Sequence, residues 1–232
     1  MKIAILSDIH ANIFAFRSVL NYIEKHDIKK ILISGDLIGY YYWPDEVIKI
    51  CMNESLFTCI KGNHEVILEK CLDNKTHMNN YSKKYGSGYK YCKQKLSINQ
   101  LDWLLNLPTK LKLNINGEGI FLGHGSLNSS NEYIYPDAKF EDILRNYSSE
   151  KYTIFGHTHY PFIHSHNNKF LINPGSVGQP RDFGDLASFA IIDMSNNTIV
   201  FYRAKFPTTS IKKEALKADL NLPYLFEVLE RK

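Results

Sequence analysis

The 232-residue chain has no long hydrophobic run. Its apolar stretches, such as Ile3–Leu6 and Ile31–Ile33, are strand-sized, whereas a membrane-spanning helix needs about 20 apolar residues. The first of them meets Ser7-Asp8 too early to be the apolar segment of a signal peptide. Cysteine is scarce: Cys51, Cys59, Cys71 and Cys92 lie 8, 12 and 21 residues apart, with no Cys-x-x-Cys pair. This excludes a disulfide framework or thiolate zinc site and predicts reduced thiols in a cytoplasmic protein. Charge of one sign is in short supply too. Lys and Arg number 28 against 24 Asp and Glu, a net +4, too balanced for a dedicated nucleic-acid binder. The 13 Gly and 8 Pro are scattered, so neither a collagen-like repeat nor a Gly/Ser linker is present.

Aromatic residues are plentiful. Tyr and Phe number 15 and 13, enough core material to exclude disorder. The first third alternates strand and helix. Lys2–Ser7 is a β-branched run, and Phe14–Glu24 places Phe16, Val19, Leu20 and Ile23 at helical spacing. Lys30–Ser34 is a second strand, Pro44 opens a helix through Cys51, and Phe57–Ile60 is a third strand. This order implies a parallel sheet whose loops gather at the strands' C-terminal ends. Residues 64–107 read as a helical cap segment that Pro108 ends.

The second half reads as three hairpins. Their strands flank Asn116-Gly117, Asn167-Asn168 and Ser195-Asn196-Asn197. They suggest a second sheet packed on the first, with helices outside. Residues 208–232 read as a tail of surface helices broken near Pro223, and with no repeat or linker the chain is expected to form one domain, 1–232. Within the cap, Lys75, Lys83, Lys84, Lys90, Lys93 and Lys95 face Asp73 alone, and Tyr81, Tyr85 and Tyr89 recur every four residues. The pattern fits a solvated helix whose Tyr face packs on the body, or a cationic lid over an anionic substrate.

Chemistry concentrates where strands end. His10, His64, His124, His157 and His159 follow predicted strands, as do Asp8 and Asp36, while His26, His77, His164 and His166 read as ordinary surface or core residues. Each motif alone has a plain structural reading: a turn for Gly35-Asp36, a helix start for Gly62-Asn63-His64-Glu65. Gly123-His124-Gly125 and Gly156-His157-Thr158-His159 fit caps less well, and their glycines let backbone approach a crowded centre. Together these residues supply two Asp, one Asn and four or five His, a donor set for Mn, Fe, Co, Ni or Zn. Seven ligands exceed one tetrahedral zinc but suit two metals sharing a carboxylate, the arrangement of phosphoryl-transfer enzymes.

In order and spacing, Asp8-x-His10, Gly35-Asp36, Gly62-Asn63-His64-Glu65, Gly123-His124 and Gly156-His157-Thr158-His159 resemble the calcineurin-like metallophosphoesterase superfamily. The resemblance covers residues 1 to about 205. Asn173-Pro174-Gly175-Ser176-Val177-Gly178-Gln179-Pro180-Arg181, His124-Gly125-Ser126, Asn131-Glu132-Tyr133 and Trp103-Leu104 through Leu107-Pro108 look like a small bacterial subgroup labelled phosphodiesterases or diadenosine-tetraphosphatase relatives. The resemblance implies an α+β fold, two packed mixed β-sheets flanked by helices in four α/β/β/α layers. It implies two divalent ions, manganese first, with Fe, Ni, Co or Zn as alternatives. Asp8, His10 and His159 would bind one ion, Asn63, His124 and His157 the other, and Asp36 both. His64 would stabilise or protonate the leaving oxygen while a metal-bridging hydroxide attacks phosphorus.

One departure narrows the substrate. Asp36 is followed by Leu37-Ile38-Gly39-Tyr40 and lacks the downstream Asp-Arg of protein phosphatases and symmetrical tetraphosphatases. His64 thereby loses its usual carboxylate partner and a monoester loses its arginine clamp. This favours small nucleotide-type phosphodiesters over phosphomonoesters or dinucleoside polyphosphates. Arg181 reads as a surface loop residue or as a substitute clamp. Tyr40-Tyr41-Tyr42-Trp43 reads as a packed loop or as an aromatic shelf for a nucleobase. Asn173-Pro174-Gly175-Ser176 reads as a structural turn. A non-catalytic scaffold on this fold, the use retromer makes of it, is the alternative of another class, but such scaffolds tend to lose ligands and none is missing. The expected partner is a small phosphoester, with no membrane or stable nucleic-acid complex. Homo-oligomerisation through hairpin edges is left open.

Overall fold

Alternation decides how the first strand is covered. In β1 (Lys2–Leu6), Ile3 and Ile5 point to one face and Ala4 and Leu6 to the other, and all four are buried. A computed structural model, which describes Met1–Lys232, supplies both covers. After β1 come α1 (Ile13–Ile23), β2 (Ile28–Ile33), α2 (Pro44–Cys51) and β3 (Phe57–Cys59). Four helices follow: α3 (Asn63–Asp73), α4 (Lys75–Tyr85), α5 (Gly88–Lys95) and α6 (Ile98–Leu105). The second half holds β4 (Leu111–Ile115), β5 (Glu118–Leu122), α7 (Phe140–Leu144), β6 (Tyr152–Ile154), β7 (Pro161–His166) and β8 (Lys169–Pro174). Last are β9 (Leu186–Asp193), β10 (Thr198–Lys205), α8 (Thr209–Ala218) and α9 (Tyr224–Glu227).

Two mixed five-stranded sheets result, ordered β10-β9-β1-β2-β3 and β4-β5-β6-β8-β7. In the first, β1, β2 and β3 are parallel and β9 is antiparallel to β1; in the second, β5, β6 and β8 are parallel. Ile3, Ile5 and Leu32 of the first sheet pack against Ile120, Ile154 and Ile172 of the second, forming the layer between sheets. Ala4, Leu6, Ile31 and Ile33 face the helices, in a cluster that extends to Leu229. Phe121, Phe155 and Leu171 lie on the outer face of the second sheet with Ile143 of α7. The expected four-layer α/β/β/α arrangement is what the chain forms, with one short helix on the second sheet's side.

The details differ from the sequence reading in three places. The third hairpin, β9–β10, joins the first sheet, because β9 pairs with β1 from Lys2↔Asp193 to Ile5↔Ala190. The three-residue β6 sits at the centre of the second sheet, although too short for a periodicity signal. The C-terminal tail is not merely superficial: Ile211, Ala215, Leu225, Val228 and Leu229 are buried in the helical-side core. All four cysteines are free and buried, and no helix is long and apolar enough to cross a membrane.

Candidate metal centre

The seven predicted donors come from loops at the C-terminal ends of β1, β2, β3, β5 and β6. Hydrogen bonds between these loops fix them. The His10 amide donates to the Asp36 carbonyl at 3.0 Å, the Ala11 amide to Leu37 at 2.8 Å and the Asp8 amide to Gly35 at 3.1 Å. Asn173-Pro174-Gly175-Ser176-Val177-Gly178 closes the other side, as a structural turn would. Ser176 Oγ and the Gly178 amide donate to the Asp8 carbonyl at 2.7 and 2.9 Å, and Asn173 Nδ2 donates to Gly156 at 2.7 Å. Glycine is required at Gly62, where an added Cβ would collide with Asp36 Oδ1.

Each carboxylate commits one oxygen to backbone and leaves the other facing histidines. Asp8 Oδ2 accepts the His157 amide at 3.0 Å, while Asp8 Oδ1 is buried without a hydrogen-bond partner, 3.3 Å from His159 Nε2 and 3.7 Å from His10 Nε2. Asp36 Oδ1 accepts the His64 amide at 2.8 Å, while Oδ2 lies 3.1 Å from His124 Nε2 and 4.0 Å from the Nε2 atoms of His10 and His64. Donor atoms within 4.8 Å of one another form three groups: Asp8, His10 and His159; His10, Asp36 and His64; Asp36, His124 and His157. Asn63 joins through Oδ1, 3.0 Å from His124 Nε2.

These residues fit divalent ions. The Nδ1 atoms of His10, His124 and His159 meet the carbonyls of Ile38, Ser34 and Gln179 at 3.1, 2.6 and 2.7 Å. A carbonyl can only accept, so each Nδ1 carries its proton and each Nε2 is turned inward, the usual outer support of a metal-binding histidine. Inside, His10 Nε2 and His159 Nε2 lie 3.0 Å apart, and His124 Nε2 faces two acceptors, Asp36 Oδ2 and Asn63 Oδ1. Lone pairs meet only where a proton or cation stands between them. His157 Nε2 is likewise buried with no hydrogen-bond partner.

The electrostatics agree. Burial pushes His64 down to about 3, and His157 and His159 down to about 4, which keeps these rings neutral. Burial works against a charge on His124 too, but the Asp36 carboxylate overrides it and pushes this histidine up to about 10. Without a metal, a proton on His124 thus balances the centre. Burial also opposes ionisation of Asp8 and Asp36, yet the histidines around them, His159 for Asp8 and His124 for Asp36, hold both below the usual carboxylate range.

One neighbour, Glu65, carries no role in the sequence reading. Glu65 is fully buried and accepts the amides of Gly62, Asp36 and Ile38 at 2.7, 3.0 and 3.1 Å, so it clamps two ligand loops together. Its position three residues after Gly62 is half of a capping box, a legible signal. Burial, then the nearby Asp36 charge, push it up to about 7. Arg181 is no stray loop residue: it lines the cleft over Asp36, His157 and His159 together with Tyr40, Tyr85 and Tyr133. The Tyr133 ring lies 4.0 Å from His157 and stacks on Tyr135 at 5.7 Å.

The expected aromatic shelf reduces to one residue. Tyr40 packs edge-on to His10 at 4.6 Å, but Tyr41 and Tyr42 are buried and donate to Leu225 O and Asp219 Oδ2 at 3.1 and 2.9 Å. Trp43 packs on Phe14. The Lys-rich segment contributes tyrosines rather than charge. Tyr85 and Tyr89 flank His64, no lysine lines the cleft, and Lys84 reaches its edge with its ammonium 4.8 Å over the Tyr85 ring.

Comparison with known proteins agrees with this geometry. An uncharacterized protein of Methanocaldococcus jannaschii is 32% identical over 238 residues, spanning 94% of this chain and 93% of that protein. A hypothetical protein from Pyrococcus horikoshii OT3 shares the fold, with a TM-score of 0.84 at 22% identity over 99% of this chain and 98% of that one. A metallophosphoesterase from Sphaerobacter thermophilus matches with a TM-score of 0.74 at 25% identity, covering 94% of each chain. The family model for the calcineurin-like phosphoesterase superfamily domain matches residues 1–197, a span that contains every loop of the cluster, and the chain belongs to that superfamily.

Proposed function

We propose that this chain is a dinuclear metal-dependent phosphoesterase whose preferred substrates are small nucleotide-type phosphodiesters. The observation that carries the reading is Asp36, which is shared by two donor groups and keeps Oδ2 turned toward both. Asp8, His10 and His159 would hold one ion, Asn63, His124 and His157 the other, and Asp36 both. When bound, two divalent ions supply an activated water and neutralise the phosphate's charge. Manganese is our first choice, with Fe, Ni, Co or Zn as alternatives.

The chain's residues do the rest. The neutral His157 and His159 and the ionised Asp8 and Asp36 arrive ready to ligate, while His124 would give up its proton to an ion. His64 lines the cleft beside Asp36, where a leaving oxygen would emerge. Arg181 is the cation at the mouth, enough for a monoanionic diester and weak for a dianionic monoester. Tyr40, Tyr85 and Tyr133 offer rings to a base or aryl group.

The test strips the protein with chelator, restores Mn²⁺, and compares bis-p-nitrophenyl phosphate with p-nitrophenyl phosphate. Metal-dependent turnover that favours the diester supports the reading. A preference for the monoester that Arg181→Ala abolishes would favour a second reading, phosphomonoesterase or dinucleoside polyphosphate hydrolase, which rests on Arg181's place in the cleft. Tight metal binding without turnover of either ester, or of nucleotides, would leave a scaffold.

A further inference from the structure

His64 belongs to one of the three donor groups, with His10 and Asp36, so geometry alone does not say whether it ligates or donates. Its second nitrogen does. The ligand-type histidines His10, His124 and His159 give Nδ1 to backbone carbonyls. His64 Nδ1 instead meets a hydroxyl, Tyr89 Oη, at 2.7 Å.

Tyr89 comes from α5, inside the Lys/Tyr-rich segment, and its side chain is fully buried. Two features press it against His64. Gly88 lets α5 approach the 39–41 loop, since a Cβ there would lie 3.0 Å from the Tyr40 amide. The start of α5 is pinned to the tail by Ser87, whose amide and Oγ donate to Asp219 at 2.9 and 2.7 Å. On the same side of the ring a Cβ at Gly39, where φ is +93°, would collide with His64 Nδ1, so glycine there lets the imidazole lie against the 39–41 loop within reach of Tyr89.

The direction of this hydrogen bond follows from burial. Burial keeps the Tyr89 phenol protonated by raising it well above its ordinary range, and His64 Nδ1 is its hydrogen-bond partner. If Nδ1–H donated instead, the phenol's own proton would be buried unmade, at a cost of about 1–3 kcal/mol. Nε2 would then also turn a lone pair toward Asp36 Oδ2, 4.0 Å away. Tyr89 O–H therefore donates, Nδ1 accepts, and the proton of the neutral ring sits on Nε2.

We propose that Tyr89 is a positioning residue that holds His64 in the Nε2–H tautomer, making it a hydrogen-bond donor to the leaving oxygen in place of a metal ligand. The consequence for catalysis rests on the phosphoesterase reading above; the tautomer does not. As the bond between phosphorus and the leaving oxygen breaks, its electron pair stays on that oxygen and the Nε2–H hydrogen-bonds to it. The neutralising proton comes from water, so His64 and Tyr89 end the step unchanged. A phenol thus does the orienting work for which the missing Asp of the Gly-Asp-x-x-Asp-Arg pattern left a vacancy in the sequence.

The test reads the tautomer and the kinetics separately. In Zn²⁺-loaded ¹⁵N-labelled protein, two-bond ¹H–¹⁵N correlations give each histidine's tautomer, and His64→Gln assigns the His64 signal by its loss. We expect Nε2–H for His64 in the native protein and a mixed or Nδ1–H state in Tyr89→Phe. An Nδ1–H or zinc-bound His64 in the native protein overturns the proposal, whether or not the protein turns over any ester. For kinetics, Tyr89→Phe should slow diesters with a basic phenol leaving group by about 10- to 100-fold and bis-p-nitrophenyl phosphate by much less. On the His64→Gln background the same change should have no effect. Equal losses for both leaving groups, or a further loss on that background, would make Tyr89 a packing residue only. If no ester is hydrolysed, the functional reading fails while the spectrum still decides the role of Tyr89.

Discussion

Twelve residues other than glycine have positive φ, and all but Asp27, which leads into β2, fall into two regions that use the same backbone for opposite reasons. In the hairpin turns they are all asparagine: Asn116, Asn167, Asn168 and Asn197. Asparagine tolerates the left-handed region, so residue type follows conformation. In the strand-end loops they are Asp8, His10, Asp36, His157 and His159, types that tolerate the region less well than glycine, and Ala11 and Tyr40, which have no preference for it. There the donor atoms decide, and the backbone is held in a region that costs about 1–3 kcal/mol for such a residue. The loop-to-loop hydrogen bonds and the Glu65 clamp offset that cost. Strain is stored where the chemistry is, and avoided where the chain merely turns.

The comparison breaks most visibly at a left-handed candidate ligand. His157→Gly keeps the amide that binds Asp8 Oδ2 and relieves the strained φ of 69°. We expect Mn²⁺-dependent diester turnover to fall by about 10²- to 10³-fold. Ion-free stability should change by no more than about 1 kcal/mol, because relieved strain offsets the freer unfolded chain. A turnover assay beside a chelator-treated thermal melt measures both. Lost stability with retained activity would place His157 among the structural residues.

Titration separates the regions next, since asparagine turns carry no titratable group. In ion-free protein His64, His157 and His159 sit below their unfolded value near 6.5. Between about pH 4 and 6.5 the unfolded chain therefore binds more protons, so stability rises with pH through this window and is lost on acidification. Asp8 and Asp36, also lowered, extend the loss to more acid pH. His124, raised to about 10, works in the opposite sense above pH 6.5. We expect a few kcal/mol less stability at pH 4.5 than at pH 6.5, read from urea melts of chelator-treated protein. A flat profile would show that these rings do not share a buried centre.

Saturating metal is the third probe. At 100 times its dissociation constant, Mn²⁺ should add about 2.7 kcal/mol and raise the melting temperature by about 5–10 °C. Asp36→Asn should lose most of that gain, and the Asn116→Ala turn variant should keep it all.

The two regions also differ in how much the sequence disclosed. The turns were legible because Asn-Gly and Asn-Asn between alternating apolar runs name their own geometry. The ligand loops were legible because Asp, Asn and His recur beside glycine just after β-branched strands. Local pattern could not assign β9 to the first sheet, since its partner β1 lies more than 180 residues away. It gave no bounds for β6, the three-residue strand before His157, and took the tail for surface, although Leu225 and Leu229 are buried. It saw the four-residue spacing of Tyr81, Tyr85 and Tyr89 but not that Tyr89 ends on His64, because that contact depends on Gly88 and Asp219 fixing α5. Distance in sequence, more than chemistry, is what stayed hidden.

The smallest effects lie in the turns themselves, and they carry opposite signs. Asn116 has φ of 53°, and the Gly117 amide beside it donates to Asn114 Oδ1 at 3.1 Å. Asn116→Ala forces a residue without that tolerance into the same backbone and should cost about 1 kcal/mol, or about 2–4 °C. Asn168 has φ of 60° and follows Asn167 at 48°, so this two-residue turn asks for positive φ twice and has asparagine at both places. Glycine at the second place is unstrained there but gives the unfolded chain more freedom, so the two terms partly cancel. Asn168→Gly should gain about 0.5 kcal/mol with turnover unchanged. Thermal melts and the diester assay on both variants decide the matter: if either turn change alters catalysis as His157→Gly does, the left-handed residues form one class, and strain at the centre has no special tie to function.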